Sequence, residues 1–313
     1  MRVAIIGAGF AGLATAYFLQ EFEQFQVTIF DKAGIGAGAS GVASGLLHPY
    51  PGIMARRSLH AEEALRISKE LLRISEANTP QMVSMHAGIL RKSLSKEQHA
   101  RLQEHCEVYG DVEQVDDSLF LIHTGITVLS TNYLRGLGGA IEKRGGEFRI
   151  EEIRALSELA NFDHIVVAAG YGIRAFQECA HLKVKFLKGQ ALRMQGEPHY
   201  DRSFISKGYL AHLGSEPFFE MGSTYERTFE TPHPQLEIAK KLLADKLVEV
   251  PDAEIIECKA GVRVCPLHHY LPIVEKIGEN MTVFTGLGSR GLLYHGYFGR
   301  KVAHRIAQNA VMS

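Results

Sequence analysis

The chain opens on an apolar run, Val3-Ala4-Ile5-Ile6, which stops at a glycine cluster and resumes over residues 13–19. The first run is the length of a buried strand, and the second continues as a helix. Residues 26–30 (QVTIF) predict another strand, ending at Asp31. Over residues 58–77 the apolar spacing changes, and Leu65, Leu71, Leu72 and Ile74 fall on one face of an amphipathic helix. Residues 95–105 predict a helix with Ser95 as N-cap, residues 119–123 (LFLIH) a strand, and residues 132–144 a helix stopped at Gly145–Gly146. Residues 163–170 (DHIVVAAG) read as a buried strand running into a small-residue turn. From 183 to 226 the pattern shifts to short strands separated by turn residues (KFLKGQALRM, SFISKGYLAHL, PFFEMGSTYE), which suits an antiparallel sheet. A helix over about 235–249, strands over 261–285 and a last helix over about 297–309 complete the expectation.

This order predicts an α/β fold with a Rossmann-like domain and an inserted antiparallel-sheet substrate domain. The expected nucleotide-binding domain is discontinuous, comprising residues 1–75, 120–182 and 258–313. Residues 76–119 and 183–257 are the expected substrate domain, with ligands in the crevice between the two.

The glycine cluster gives the first strand–turn–helix its chemistry. Residues 7–12 read GAGFAG, with Gly7, Gly9 and Gly12 in the G-x-G-x-x-G positions. Gly7 allows the tight turn, Gly9 lets the backbone approach a pyrophosphate, and Gly12 lets helix and strand pack closely. The helix N-terminus offers free N–H groups and partial positive charge to phosphates. Asp31, 19 residues past Gly12, can accept hydrogen bonds from a ribose hydroxyl. A glycine-rich helix contact alone leaves that acid unexplained.

Composition narrows the picture only a little. The 313 residues are enough for two domains, and a net charge of −1 favours neither nucleic acid nor an anionic membrane globally. Residues 183–193 carry four positive charges, read as a solvated strand face. The apolar start belongs to the nucleotide unit rather than to a signal peptide, and no stretch suits a membrane span, so a cytosolic protein is expected. Cys106, Cys179, Cys258 and Cys265 show no C-x-x-C pairing, and His268–His269 would face opposite ways on a strand, so no metal site is expected.

Four separated segments resemble the FAD-dependent D-amino-acid oxidase superfamily, which includes glycine oxidase and sarcosine oxidase. They are GAGFAG with Asp31, ASGVASGLLHPY at 39–50, DHIVVAAG, and TGLGSRGLL at 285–293. Within it, GSTYE at 222–226, AGVRV at 260–264 and GLGSRGL at 286–292 look most like the flavin domains that remove a carboxymethyl group from carboxymethylaminomethyl-uridine in tRNA. Those domains have a polar Asn-Arg-Gln stretch where this chain has Val42, Ala43 and Ser44. They also have an acidic residue where His269 and Tyr270 precede Leu271 and Pro272.

The resemblance implies FAD as cofactor. It implies that Gly7, Gly9, Gly12 and Asp31 hold the adenosine and pyrophosphate, that Ser40 and Gly41 approach the pyrophosphate and flavin, and that Ala169 and Gly170 end a strand beside the same cofactor. Gly286, Gly288, Ser289, Gly291 and Leu292 would form the turn and helix start nearest the flavin, where a helix dipole stabilises charge on the reduced ring. Arg263 matches the strand arginine that clamps the substrate carboxylate, for which a guanidinium's planar fork is suited. Arg290 would make a second contact, and Tyr209 would face the ring from the substrate sheet. The plain alternatives are a flexible loop at 38–45, a surface ion pair for either arginine, and a core position for Tyr209. His48 reads as a loop histidine or a cleft residue. Cys265 reads as a buried thiol, near where sarcosine oxidase attaches its flavin.

The implied reaction is oxidation of a C–N bond of an amino-acid or N-substituted glycine-type amine, with hydride transfer to the flavin. The alternatives are the tRNA modification above, a protein that FAD merely stabilises, and an NAD-dependent dehydrogenase, which leaves GLGSRGL unexplained. The implied partner is a small amine bearing a carboxylate, with tRNA as the other candidate.

Overall fold

The computed structural model describes residues 1–214, 217–247, 250 and 252–312. Their strands form three sheets. The six-stranded sheet runs in the order Ile273–Gly278, Met281–Thr285, His164–Val167, Arg2–Ile6, Gln26–Asp31, Glu147–Ile150. Its pairs are parallel except for the hairpin Ile273–Gly278 with Met281–Thr285. The inner strands are buried along almost their whole length, as a parallel sheet covered on both faces requires.

One face of this sheet carries the larger core. Helices Phe10–Leu19, Ala61–Glu76, Ser130–Lys143 and Gly291–Met312 pack there. Every residue of Phe10–Leu19 is buried, and each large apolar side chain so removed from water contributes about 1.5–3 kcal/mol. The other face is covered by short 3-10 segments at Leu156–Leu159, Gly170–Ala175 and Gln177–Cys179.

The last helix begins at Gly291, six residues before the sequence pattern suggests. Gly291, Gly296 and Gly299 argue against an early start on propensity alone. Packing overrides propensity here. A Cβ on Gly296 would stand 2.9 Å from side-chain atoms of Ile67 and Leu71, and one on Gly299 would stand 2.9 Å from Ala14. The glycines let this helix press against two others.

The eight-stranded sheet runs Glu254–Pro266, Val184–Gln195, Phe218–Gly222, Tyr209–His212, Phe204–Ile205, Ile89–Lys92, Leu119–Ile122, Val112–Asp116. All its pairs are antiparallel except Phe204–Ile205 with Ile89–Lys92. Leu119–Ile122 and Glu254–Pro266, which the expected boundaries at 120 and 258 cut, pair within this sheet over their whole length. Helix Leu236–Leu247 buries Ala239 and Leu243 against it. Helix Lys96–Tyr109 follows its cap as the sequence suggests, with Ser95 Oγ accepting from the Gln98 N–H at 3.2 Å. A small third sheet joins Leu46–Leu47, Ile126–Val128 and Ser84–Met85.

The basic stretch 183–193 is not a uniformly solvated face. Lys188 is fully buried, its Nζ donating to Gln235 Oε1 at 2.8 Å, and Arg193 lies over the Phe218 ring at 5.1 Å. His268 and His269 lie beyond the end of their strand at Pro266. No helix among the described residues is long and apolar enough to cross a membrane.

Candidate active site

A cleft of about 1370 Å³ lies between the six- and eight-stranded sheets and draws its lining from both. It exceeds the usual range for a small-molecule pocket, roughly 300–1,000 Å³.

On the six-stranded side the wall is mostly backbone. Gly7 has φ +108°, and a Cβ there would lie 2.4 Å from the Ala168 carbonyl oxygen. A Cβ on Gly12 would lie 1.9 Å from the Gly7 carbonyl oxygen, so Gly12 acts by letting helix and strand close up rather than by lining the cleft. Gly9, Phe10 and Ala11 open the first helix into the cleft, presenting its N-terminal N–H groups.

Asp31 lines the same end and has a second task. Its Oδ2 accepts from the Ala8 N–H at 2.9 Å, and its Oδ1 from Ala33 and Gly34 at 3.0 and 3.1 Å. One carboxylate thus ties the glycine turn to the following loop and keeps lone pairs for a ligand. Ser40 also lines the cleft, but its Oγ accepts from the Phe10 N–H at 3.0 Å, capping the helix across the loop. Gly41 is not among the lining residues. A Cβ there would stand 2.1 Å from the Gly36 carbonyl oxygen, so it serves the loop's own packing.

Ala168, Ala169 and Gly170 line the cleft where their strand ends. Gly286, Gly288, Ser289, Gly291 and Leu292 line it from the C-terminal turn. Gly286 (φ +76°) and Gly288 (φ +54°) use the left-handed region that glycine allows, and the Gly288 N–H donates to the Val264 carbonyl at 2.9 Å. The long last helix therefore starts at the cleft, giving it a second helix N-terminus. Cys265 is not among the lining residues. Its Sγ would lie 3.2 Å from a Gly288 Cβ, and burial pushes its thiol pKa up.

On the eight-stranded side the wall is made of side chains. Arg263 is half-buried, with no carboxylate in ion-pair range among the described residues. Its Nη2 makes only a long contact, 3.5 Å, to the Thr224 carbonyl, and its Nε has no partner. The guanidinium carbon lies 5.4 Å from the Tyr225 ring centre. Arg290, in the C-terminal turn that follows strand Met281–Thr285 of the six-stranded sheet, is similar, with its Nε unpartnered and the Tyr270 ring 4.5 Å from its guanidinium carbon. Gly189 makes room for Arg263, since a Cβ there would lie 2.8 Å from Nη2.

Buried hydrogen bonds hold the segment behind Arg263. Thr224 Oγ1 accepts from the Gln190 N–H at 2.8 Å and donates to Glu226 Oε1 at 2.6 Å. Gln190 Nε2 donates to the same carboxylate at 3.0 Å. Tyr209 receives a hydrogen bond from Ser44 Oγ at 2.7 Å, and burial raises its pKa to about 12. Gly222 opposite is what admits its ring, a Cβ there falling 2.4 Å from the phenol oxygen.

The cleft thus gathers every expected site residue except Gly12 and Gly41. His48 lines it too, with burial and the Arg91 charge lowering its pKa to about 3. Arg91 has no sequence signal. It sits on a short strand, Ile89–Lys92, and only the sheet order brings it to the cleft. Two helix N-termini, glycine turns that a Cβ would fill, and an acid at the second strand's end fit a bound dinucleotide.

Comparison with known proteins agrees with this geometry. The protein is 26% identical over 363 aligned positions to the tRNA 5-methylaminomethyl-2-thiouridine biosynthesis bifunctional protein MnmC of Polaromonas naphthalenivorans, covering 97% of this chain and 56% of that protein. The chain therefore spans about half the length of that relative. Its fold matches glycine oxidase from Geobacillus kaustophilus with a TM-score of 0.79 at 19% identity, covering 98% of this chain and 95% of that one. It matches iminodiacetate oxidase from Chelativorans sp. BNC1 with a TM-score of 0.79 at 18% identity, again covering 98% and 95%. A family model described as DAO, FAD dependent oxidoreductase, matches residues 2–305, and the chain belongs to that family of FAD-dependent oxidoreductases.

Proposed function

We propose that this enzyme oxidises the C–N bond of an amino acid or N-substituted glycine-type amine whose carboxylate is held by Arg263. The observation that carries this reading is a cleft guanidinium without a carboxylate partner among the described residues, its Nε unpartnered and its Nη2 only loosely engaged. A planar carboxylate satisfies such a fork with two charge-assisted bonds.

FAD would lie along the glycine turns of Gly7 and Gly9, Asp31, the strand end at Ala169 and Gly170, and the turn from Gly286 to Leu292, where it supplies the two-electron acceptor. The chain's own groups orient the amine. Tyr209 stays a neutral phenol, because burial raises its pKa to about 12, and it can donate to the same carboxylate. Arg263 and Arg290 bring two positive charges to the cleft, and a guanidinium beside the substrate favours its binding as the carboxylate and disfavours an ammonium next to it. The neutral amine so favoured loses two electrons and two protons, and water hydrolyses the resulting imine to an oxo acid and an amine.

A second reading, action on a modified tRNA uridine, draws on the MnmC relative, which is matched along nearly all of this chain. The small-amine reading is preferred because Lys32 and Lys207 stand within ion-pair range of Glu152 and Asp245, at 3.8 and 3.7 Å, while Arg174 and Lys246, which also line the cleft, donate to the Tyr171 hydroxyl and the Ser223 carbonyl. Anaerobic mixing of the yellow holoenzyme with a panel of amino acids, N-alkyl glycines and modified tRNA tests both. Bleaching by carboxylate amines supports the first reading. Bleaching by tRNA alone, with salt-dependent binding, replaces it with the second.

A further inference from the structure

The eight-stranded sheet brings a further guanidinium into the cleft. Arg91 pairs with Ile205, Ile205 with Tyr209, and Tyr209 with Gly222. Residues paired across neighbouring strands share a face, and all four line the cleft. Two strand spacings put the Arg91 backbone about 10 Å from that of Tyr209.

Arg91 is only 3% exposed. Its Nη1 and Nη2 donate to the Tyr50 and Gly52 carbonyls, each at 2.6 Å. A guanidinium has five N–H donors, so these two bonds leave the others open, and Nε has no partner. Among the described residues no carboxylate lies within ion-pair range of it. A buried cation offset only by carbonyl dipoles is costly.

Holding the loop does not require that charge. The neighbouring carbonyls of Ile53 and Ala55 are held by Gln98 and by His105, without a guanidinium. His48 lines the same part of the cleft, and its Nδ1 accepts from the Tyr50 N–H at 3.3 Å, which leaves Nε2–H as a donor.

We propose that Arg91, with His48 beside it, forms a second oxyanion subsite. The substrate is then an amino acid or N-substituted glycine that carries a further anionic group, a carboxylate or a phosphate ester, at the end remote from the reacting carbon. This rests on the reading of Arg263 as the holder of the first carboxylate.

Calorimetric titration of the oxidised holoenzyme tests it without turnover. The probes are adipate, suberate and sebacate, each beside its half-amide and beside an analogue with a terminal phosphate monoester in place of one carboxylate. The probe that spans the two sites is expected to bind about ten- to a hundredfold more tightly than its half-amide. Arg91→Met is expected to bring the two Kd values together, and Arg91→Lys to restore part of the difference. The tighter of the carboxylate and phosphate arms identifies the anionic group. Equal binding of diacid and half-amide at every length overturns the proposal, as does an unchanged ratio in Arg91→Met. If Arg91→Met does not fold, the length dependence in the unaltered enzyme decides alone. Arg263→Ala separates the two readings. If half-amide binding ignores that change, the Arg263 assignment fails. If it depends on Arg263 and only the end-group preference is missing, the second subsite alone fails.

Discussion

The two walls of the cleft are built on different principles. The six-stranded wall is backbone, shaped by glycines whose missing side chains leave the space. The eight-stranded wall is side chains, with Arg263, Tyr209 and Arg91 projecting from separate strands. At Gly7 the backbone wall tolerates no added atom, because a Cβ would stand 2.4 Å from the Ala168 carbonyl oxygen. A side-chain wall can lose a residue and keep its frame. Changes on the first wall should therefore cost the fold and the cofactor, and changes on the second should cost the substrate.

Gly12 is the sharpest place to break that contrast. A Cβ there falls 1.9 Å from the Gly7 carbonyl oxygen, far inside contact distance. Gly12→Ala is expected to yield little folded protein and no bound flavin, read as visible absorbance and Tm. Gly38, unlike Gly12, lines the cleft itself, and a Cβ there meets nothing within 4 Å. Gly38→Ala should keep native flavin content. A Gly12→Ala protein with full flavin and a native Tm would remove the distinction between the walls.

Arg263→Ala attacks the other wall. Losing one member of a desolvated charge pair costs about 2–5 kcal/mol, or roughly thirty- to several-thousand-fold in kcat/KM. Flavin content and Tm should stay close to native, since Arg263 makes only a long contact to Thr224. A variant that turns over carboxylate amines normally contradicts the proposed anchoring. One that loses flavin instead contradicts the division of labour.

The same contrast explains what could be read from the sequence. Gly7, Gly9, Gly12 and Asp31 lie within one short segment, so local spacing carries their geometry. Arg263 was reachable only through the resemblance of AGVRV, and Arg91 not at all, because it meets Tyr209 through strand order rather than spacing. Gly41 and Ser40 show the opposite limit. Both stand in the loop at 38–45. Ser40 lines the cleft and also caps the first helix, whereas Gly41 packs on Gly36. Small residues signal close approach without naming what approaches. Lys188 was misread for a related reason, since a charge pattern does not show that Gln235 comes to meet it.

Acid should act on both walls, since His48 beside Arg91 is also held neutral, with burial and that guanidinium lowering its pKa to about 3. His295, on the helix that starts at the cleft, holds Nδ1 at 3.0 Å from the Gly291 and Leu292 carbonyls and is joined at Nε2 by the Tyr133 hydroxyl. Burial lowers its pKa from 6.5 to about 4, and burial likewise lowers His164, on strand His164–Val167 of the six-stranded sheet, to about 4. The folded values lie below the unfolded one, so the unfolded chain takes up these protons first as pH falls. Stability is complete above pH 6.5 and is lost down to about 4, by about 3 kcal/mol per histidine. Denaturant titrations across that window should show the fall, and His295→Gln should remove only the share that His295 contributes. A flat profile in the native enzyme would mean that these rings are not held neutral by the fold.

The smallest effect tests whether the side-chain wall has a supporting frame of its own. Thr224 is 2% exposed, and its hydroxyl joins the Gln190 N–H to Glu226 while its carbonyl meets Arg263. Thr224→Val keeps the shape and removes the hydroxyl. The Gln190 N–H is then buried without a partner, at a cost of about 1–3 kcal/mol in stability. Because the backbone at 224 also pairs with Gln190 through its own N–H at 3.0 Å, the strap should stay in place and Arg263 should lose only part of its alignment. The expected outcome is a lower Tm, native flavin content, and a KM for the carboxylate amine raised about two- to fivefold with kcat nearly unchanged. Thr224→Ser should restore both values. If Thr224→Val lowers Tm and leaves KM where it was, the buried bonds support the sheet alone, and Arg263 owes its position to the space that Gly189 leaves for it.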